Sequence, residues 1–490
     1  MTGNLSWWLT PVWMLSVGVT AGVVVLLLLY GLLWLVSRAA AAAAFRAVRE
    51  SVLQHVSYLA IGFAVLCLLV PAAQIAKFGP IFESIGRLPY ITPILETVEI
   101  PAQATDLEIP LSFRSDELQS YTFTSEQDLI IGVEPGKALS SPLISVDGNE
   151  PYQWLPGGIR ERKFNDNVEK LYVTNVSDAP TTLTLDFVRS VPIPEVRHIP
   201  IIAAFVVGLY LLYLAIHWLM PRLSAVALTT TKECSAQPIY LLVLFGGVAA
   251  LVLFVYMPYN TFGEDVKILK DSGLTTIMVL SILVGVWSAS VSVADEIEGR
   301  TALTVLSKPI SRAQFVLGKF LGILWPVLLL YVVLGAVLLV TVSYKVVYDA
   351  RETTNPDPTW QVCYAEMIGT VPGLALAFME TVVLTAISVA VSTRLSMLPN
   401  LIVCGSIYVL GHLIPPIVQS SAGQNEFVAF VGRLSAIIVP VLDHFNIQAA
   451  VAGGVSVPWI YLGWALVYCV LYSTAMMLLA LVLFEDRDLA

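Results

Sequence analysis

Residues 273–294 read GLTTIMVLSILVGVWSASVSVA, and residues 295–322 continue directly as DEIEGRTALTVLSKPISRAQFVLGKFLG. The first stretch contains no Asp, Glu, Lys or Arg, and a helix of this length crosses a hydrocarbon core of roughly 30 Å. The second stretch opens with several charged residues, which are too costly to bury in hydrocarbon. The sequence therefore predicts a membrane helix that ends before Asp295 and emerges into a polar loop.

Eight further apolar stretches have a similar length. They lie at residues 12–36, 53–75, 199–221, 238–257, 318–343, 371–392, 398–418 and 459–484. The whole chain of 490 residues is 57% hydrophobic and only 13% charged, which excludes a soluble protein with an ordinary polar surface. We therefore expect an all-α polytopic membrane protein with about nine transmembrane helices. A cleaved signal peptide is the alternative for the first stretch, but no Lys or Arg precedes Arg38.

The segment 76–198 has a different character, with short β-prone runs separated by turn signals such as Asp147-Gly148. The clearest runs are residues 107–113, 121–124, 129–133, 170–176 and 182–188. We expect six to eight short strands, forming an inserted antiparallel β-sandwich. The chain then divides into two N-terminal membrane helices (1–75), this β domain (76–198), a third membrane helix (199–221) and a six-helix core (222–490).

The distribution of basic residues predicts the orientation. With the N-terminus outside, the inner connections hold eleven Lys and Arg and the short outer ones hold five. The excess predicts an N-terminus outside, a cytoplasmic C-terminus and an extracytoplasmic β domain. Most of the formal net charge of −10 lies in that β domain, which argues against a nucleic-acid partner.

The loop after residue 294 carries strong local signals. A short helix over 301–307 would present Leu303 and Leu306 on one side, and Pro309 would end it. Ser311 and Gln314 then have the spacing of a capping box, with Ile310 and Phe315 at the positions of a hydrophobic staple. Such a rigid loop suits a surface on which a soluble motor acts. An ordinary, well-capped interhelical turn is the alternative.

Residues 222–237 form a shorter amphipathic segment that contains Lys232 and Glu233. Leu223, Val226 and Ala227 would share one helical face, which suits a helix resting in the membrane interface. A plain connecting loop is the alternative.

Residues 222–490 resemble the membrane subunit of type-2 ATP-binding-cassette (ABC) exporters, including permeases linked to multicopper-enzyme maturation. The resemblance rests on an E-x-E-G-R-T pattern followed by L-S-K-P-I-S-R-x-x-F-x-x-G-K. The residues that carry it are Glu296, Glu298, Gly299, Arg300, Thr301, Leu306, Ser307, Lys308, Pro309, Ile310, Ser311, Arg312, Phe315, Gly318 and Lys319.

The resemblance implies that the loop 295–318 contains a coupling helix that docks on an ATPase. Leu303 and Leu306 would form the docking face, and its charged rim would be Glu298, Arg300, Lys308 and Arg312. Lys232 and Glu233 would belong to the cytosolic elbow helix of 222–237. The permease would work as a dimer with a second copy or a homologous permease.

This chain lacks a P-loop of its own. Gly318-Lys319 follows Ala313 where the pattern needs Gly, and Phe320 stands where Ser or Thr would bind magnesium. We therefore expect ATP and magnesium on a separate ABC ATPase chain, and no cofactor or metal on this one. The expected location is a cell membrane, with lipid as surroundings.

Glu380 lies near the middle of the stretch 371–392, where an ionised carboxylate is costly unless it faces a cavity or a partner. It is a candidate for the translocation path or for a contact across a dimer, and a protonated packing residue is the alternative. The sequence has no catalytic constellation, so an enzyme is not expected. The rival function is a membrane-anchored sensor or scaffold whose β domain binds a ligand or protein. The substrate is not identified by these residues.

Overall fold

The computed structural model describes residues 3–72, 79–136, 143–155, 160–257, 264–298, 310–352, 358–419, 426, 427, 430, 432, 434 and 439–485. The chain forms two compact units, one made of Met1–Ala76 with Ile199–Ala490 and the other of Lys77–His198.

The first unit begins with three helices. They are α1 (Gly3–Val36), α2 (Arg38–Arg49) and α3 (Leu53–Ala72). The sequence analysis assigns no element between the first two apolar stretches, and the structure has the separate helix α2 there. Ser37 caps this helix, because its hydroxyl accepts a hydrogen bond from the Ala40 amide at 3.3 Å.

In its described residues, the second unit contains one α-helix, α4 (Gly79–Arg87), and eight strands. The strands are β1 (Ile94–Ile100), β2 (Leu107–Phe113), β3 (Leu118–Ser125), β4 (Leu129–Gly132), β5 (Ile144–Val146), β6 (Tyr152–Trp154), β7 (Val168–Asn175) and β8 (Thr181–Arg189). Two four-stranded antiparallel sheets result, with strand orders β1-β8-β3-β6 and β2-β7-β4-β5. The expected antiparallel two-sheet domain is therefore confirmed.

Alternation along the strands builds the core of this unit. In β8, Leu183, Leu185 and Phe187 are fully buried and the residues between them are more exposed. Phe187 lies next to Phe113 and Phe123, with ring centroids 4.8 and 5.3 Å away. Aromatic contacts of this kind add to the area that each ring buries.

The remaining helices return to the first unit. They are α5 (His198–Leu219), α6 (Pro221–Ala236), α7 (Pro238–Tyr256), α8 (Asp265–Ala289), α9 (Asp295–Glu298), α10 (Arg312–Glu352), α11 (Trp360–Gly369), α12 (Val371–Ser392), α13 (Met397–Gln419), α14 (Gln448–Ala452) and α15 (Trp459–Glu485). A π-helical turn, Ser290–Ala294, joins α8 to α9.

Within the described residues, nine helical segments are long and apolar enough to cross a membrane, as the sequence predicts. Three of them lie centrally, because 67%, 56% and 67% of the apolar windows of Asp265–Ile297, Arg312–Glu352 and Trp360–Ser392 are buried. The corresponding fractions are only 6% for Trp7–Val36 and 11% for Met397–Val418. The peripheral helices therefore present their apolar side chains to lipid.

The segment 222–237 is helical, and the alternative of a plain loop is wrong. Pro221 occupies the first helical position, where its missing N–H costs nothing. Leu223, Val226 and Ala227 form a buried face, as their spacing predicts. This face packs against α10.

Candidate functional site

A buried lysine joins three elements at the base of the loop between α9 and α10. The Nζ atom of Lys319 lies 2.6 Å from Glu296 Oε1 and 3.7 Å from Glu233 Oε2. Its side chain is only 4% exposed, whereas those of Glu296 and Glu233 are 23% and 38% exposed. We call these three residues the loop-base triad. It links α9 to α10 through a charge-assisted hydrogen bond, and α6 to α10 through a longer ion pair.

The electrostatics of the triad are visible in Glu233. Burial raises the pKa of its carboxyl group, the Lys319 ammonium opposes this shift, and the neighbouring Glu296 carboxylate raises the pKa further. Two carboxylates therefore share one lysine.

The start of α10 is capped as the sequence predicts. The Gln314 amide donates to the Ser311 hydroxyl at 3.2 Å, and the Ser311 amide donates to Gln314 Oε1 at 3.1 Å. These reciprocal bonds are the expected capping box. They fix the direction in which the loop enters α10.

The C-terminal end of α15 contacts the first turn of α10. Arg312 Nη1 donates to the Glu485 carbonyl at 2.8 Å, and its guanidinium lies 5.8 Å from the centre of the Phe484 ring. Phe484 in turn stacks on Phe315, with ring centroids 5.6 Å apart. The end of α15 therefore holds the first turn of α10, and the loop-base triad holds the same helix seven residues further on, at Lys319.

The predicted coupling residues are only partly described by the structure. Ile310, Arg312 and Glu296 lie at the two ends of the loop, and only the backbone of Glu298 is described. Gly299, Arg300, Thr301, Leu303, Leu306, Lys308 and Pro309 lie outside the described residues. The docking face on Leu303 and Leu306 stays a prediction. In the elbow helix, Lys232 is exposed and Glu233 belongs to the triad.

Close packing holds the elbow helix α6 on α10. A Cβ atom at Gly318 would lie 2.7 Å from Val226 Cβ, and one at Gly322 would lie 2.6 Å from Thr230 Cβ. The Thr231 hydroxyl donates to the Gly322 carbonyl at 2.8 Å. Small residues allow such close approach of two helices in a membrane. The sequence interpretation includes Gly318 in the family motif but does not anticipate this contact.

A second polar cluster surrounds the π-helical turn. The Asn400 Nδ2 atom lies 2.9, 2.8 and 2.9 Å from the hydroxyl oxygens of Ser290, Ser388 and Ser392. An amide NH₂ group has two hydrogens, so it donates to two of these three oxygens at a time. The Ser290 hydroxyl itself donates to the Val286 carbonyl at 3.0 Å. Asn400 thereby links α12 and α13 to the turn that precedes the loop.

Sequence reasoning missed this cluster. Ser388, Ser392 and Asn400 are polar residues within or beside apolar stretches, and the two serines lie four residues apart. This spacing places both hydroxyls on one helical face. Which other helix meets that face is a tertiary property.

Glu380 is fully buried within α12. Its Oε1 atom lies 3.4 Å from His412 Nε2 on α13. His412 Nδ1 lies 3.0 Å from the Tyr408 carbonyl and donates to it, so Nε2 is the ring nitrogen that faces the carboxyl group. This contact with an imidazole lowers the cost of burying the Glu380 carboxyl group. Its role in a translocation path stays a prediction.

Two buried lysines form ion pairs at the ends of α8 and α10 that lie away from the loop. Lys270 pairs with Glu366 of α11, and Lys345 pairs with Asp265 at 3.2 Å. Lys345 also donates to the Val255 carbonyl at 3.2 Å. These contacts carry α8 and α10 beyond their apolar stretches, which explains why both helices are longer than the sequence predicts. Among the described residues, no group of three or more His, Cys, Asp or Glu is arranged to hold a metal ion.

The fold and this arrangement define a multi-pass membrane protein with a helical core and a polar, well-supported loop base. Residues 248–489 match the family model described as ABC-2 family transporter protein. A search of curated proteins returns no match for the chain. This match supports an ABC-2-type permease, the membrane component of a transporter, for residues 248–489. This family implies association with an ABC ATPase.

Proposed function

We propose that the chain is the permease subunit of an ATP-driven exporter and that a separate ABC ATPase acts on it through the loop 295–318. The loop-base triad is the observation that carries this proposal. A lysine that is 4% exposed and contacts two acidic residues from different helices ties the loop to the elbow helix and to α10. A force applied to the loop then moves three elements together, since ion-paired buried groups resist separation.

The membrane core provides a path for this motion. The loop follows directly from α8, the π-helical turn and α9, and Asn400 connects that turn to α12 and α13. Displacement of the loop therefore reaches the central helices through covalent continuity and through the Asn400 hydrogen bonds. We propose that these helices alternate between inward and outward access, or release substrate laterally, with Glu380 on the translocation path.

The assembly and orientation follow the same proposal. Two permeases, either identical or homologous, pair with two ATPase subunits, which bind ATP and magnesium, and this chain binds no cofactor. The N-terminus and the β domain lie outside the cell membrane, and the loop-base triad and the C-terminus lie in the cytoplasm. The support is the excess of Lys and Arg in the inner connections. The resemblance to permeases linked to multicopper-enzyme maturation stays a prediction.

Co-purification with an ABC ATPase tests the proposed coupling. Leu303→Asp combined with Leu306→Asp should abolish association, because two carboxylates in an apolar docking face lose their hydration without gaining partners. A matched control carries Leu155→Asp and Val176→Asp on the β domain, where both side chains are exposed. The control should keep the complex. A complex that survives the loop substitutions at normal membrane abundance would contradict the assignment of the docking face.

A further inference from the structure

The helix α2, between the first two membrane spans, has two chemically distinct faces. Ala41, Ala44 and Ala47 are buried against the protein. Arg38 and Arg49 lie eleven residues apart, and at 100° per residue this places them on nearly the same side, with Arg46 beside them. All three arginines are exposed. The helix therefore turns a basic face away from the protein.

Hydrogen bonds to the backbone of α2 fix the orientation of this basic face. The Tyr213 hydroxyl of α5 donates to the Ala47 carbonyl at 3.3 Å. At the end of the helix, the Ser51 hydroxyl donates to the Val48 carbonyl at 2.8 Å and accepts from the Leu53 amide at 3.1 Å. The orientation of the arginines thus comes from packing and hydrogen bonds on the opposite face and not from the arginines themselves.

The position of α2 puts this face at the membrane surface. A single residue, Ser37, separates α2 from the span Trp7–Val36. The Phe45 ring lies 6.5 Å from the ring of Tyr30, which belongs to that span, so the helix folds back toward the level of the bilayer. The Arg38 guanidinium lies 4.7 Å from the centre of the Trp34 ring. Trp and Tyr at the ends of a span mark the headgroup region.

The segment that contains α2 is predominantly basic. Between Arg38 and Leu53 the sequence has three arginines and one acidic residue, Glu50. Among the described residues, none of the three arginines forms an ion pair. Phe45 is 57% exposed within the same basic face. Exposed arginines around an exposed aromatic ring, at headgroup level, suit a surface that is anionic and apolar at once.

We propose that α2 is a binding site for anionic phospholipid headgroups. Arg38, Arg46 and Arg49 contact the lipid phosphates, for which the planar guanidinium offers paired donors. Phe45 inserts at the boundary between headgroups and acyl chains. The site is independent of the proposed coupling to an ATPase, since it lies on α2, outside the part of the chain that matches the transporter family.

Lipid binding to the full-length chain in detergent tests this site. Native mass spectrometry would compare phosphatidylglycerol with phosphatidylcholine, titrated separately. Each basic side chain near an anionic surface contributes about five-fold to binding. The combined Arg38→Gln, Arg46→Gln and Arg49→Gln variant should therefore lose on the order of 100-fold in preference for phosphatidylglycerol. An unchanged preference would overturn the proposal.

Three controls make the outcome specific. Replacing the same arginines by lysine keeps the charge and should retain most of the preference, so a folding defect in the glutamine variant does not hide the answer. Glutamine at Arg160, Lys163 and Lys170, exposed bases of the β domain, should leave the preference unchanged. Competition by soluble glycerol phosphate as strong as that by the lipid would contradict a lipid site. Loss of a co-purifying protein with unchanged lipid preference would also contradict it.

Discussion

Removing the lysine of the loop-base triad is the most direct test of how the loop is supported. Lys319→Met keeps the aliphatic length of the side chain but deletes the ammonium group that contacts Glu296 and Glu233. The two carboxylates then remain close to each other without a counter-charge. We expect the protein to be destabilised and the loop to separate from α6.

The magnitude follows from the burial of the three side chains. Breaking a fully buried ion pair costs about 3–5 kcal/mol, and an exposed pair contributes about 0–1 kcal/mol. Lys319 is 4% exposed, but Glu296 and Glu233 are 23% and 38% exposed, so water compensates part of the loss. We therefore expect a loss of about 1–3 kcal/mol in the free energy of unfolding.

Thermal melting of the purified chain measures this loss, and ATP-driven transport with its ATPase measures the consequence for coupling. Lys319→Met should lower the melting temperature and reduce coupled transport about ten-fold, the effect of roughly 1.4 kcal/mol. The control adds Glu296→Gln and Glu233→Gln to the same variant. None of the three positions is charged in this triple variant, so it should regain most of the free energy of unfolding that Lys319→Met loses. A single variant as stable and as active as the unaltered chain would refute the reasoning.

The same triad predicts a pH dependence with a definite sign. The pKa of Glu233 in the folded chain is raised above its ordinary value of 4.5, chiefly by burial. Its contribution to stability is therefore complete below that value and is lost as the pH rises through the folded pKa. In Glu233→Gln this contribution is absent. As the pH is raised from 4, the melting temperature should fall less steeply for this variant than for the unaltered chain. An equal dependence of the melting temperature on pH in both proteins would contradict the assignment.

Three further outcomes are expected. Gly322→Leu should lower the yield of folded protein by separating α6 from α10, because even a Cβ atom there would lie 2.6 Å from Thr230 Cβ; a normal melting temperature would contradict this. In a cysteine-free background, Ala179→Cys in the β domain should react with an impermeant maleimide in intact cells, and Lys232→Cys only after permeabilisation; the reverse pattern would invert the orientation. Glu380→Gln should slow transport at normal membrane abundance, and unaltered transport would remove Glu380 from the path.

Local sequence was sufficient to predict those features that depend on a single segment of the chain. A bilayer demands about 20 apolar residues per helix, so composition along the chain located all nine candidate spans. The capping box at Ser311 and Gln314 was also predictable, since both partners lie within one helical turn. The two-sheet β domain followed from alternation and turn residues. The clearest runs did not single out β1, β5 or β6, which are short or lie at sheet edges.

The sequence by itself determined that this protein resides in a membrane, and its motifs indicated a permease core. Only the tertiary structure brought Lys319 to Glu233, Asn400 to Ser290 and His412 to Glu380, residues that lie 86, 110 and 32 positions apart. The physical reason is that hydrophobic periodicity indicates which face of a helix is apolar, but it does not indicate which other helix packs against that face. The partner of a buried polar group depends on the packing of whole helices, and that packing placed the loop-base triad.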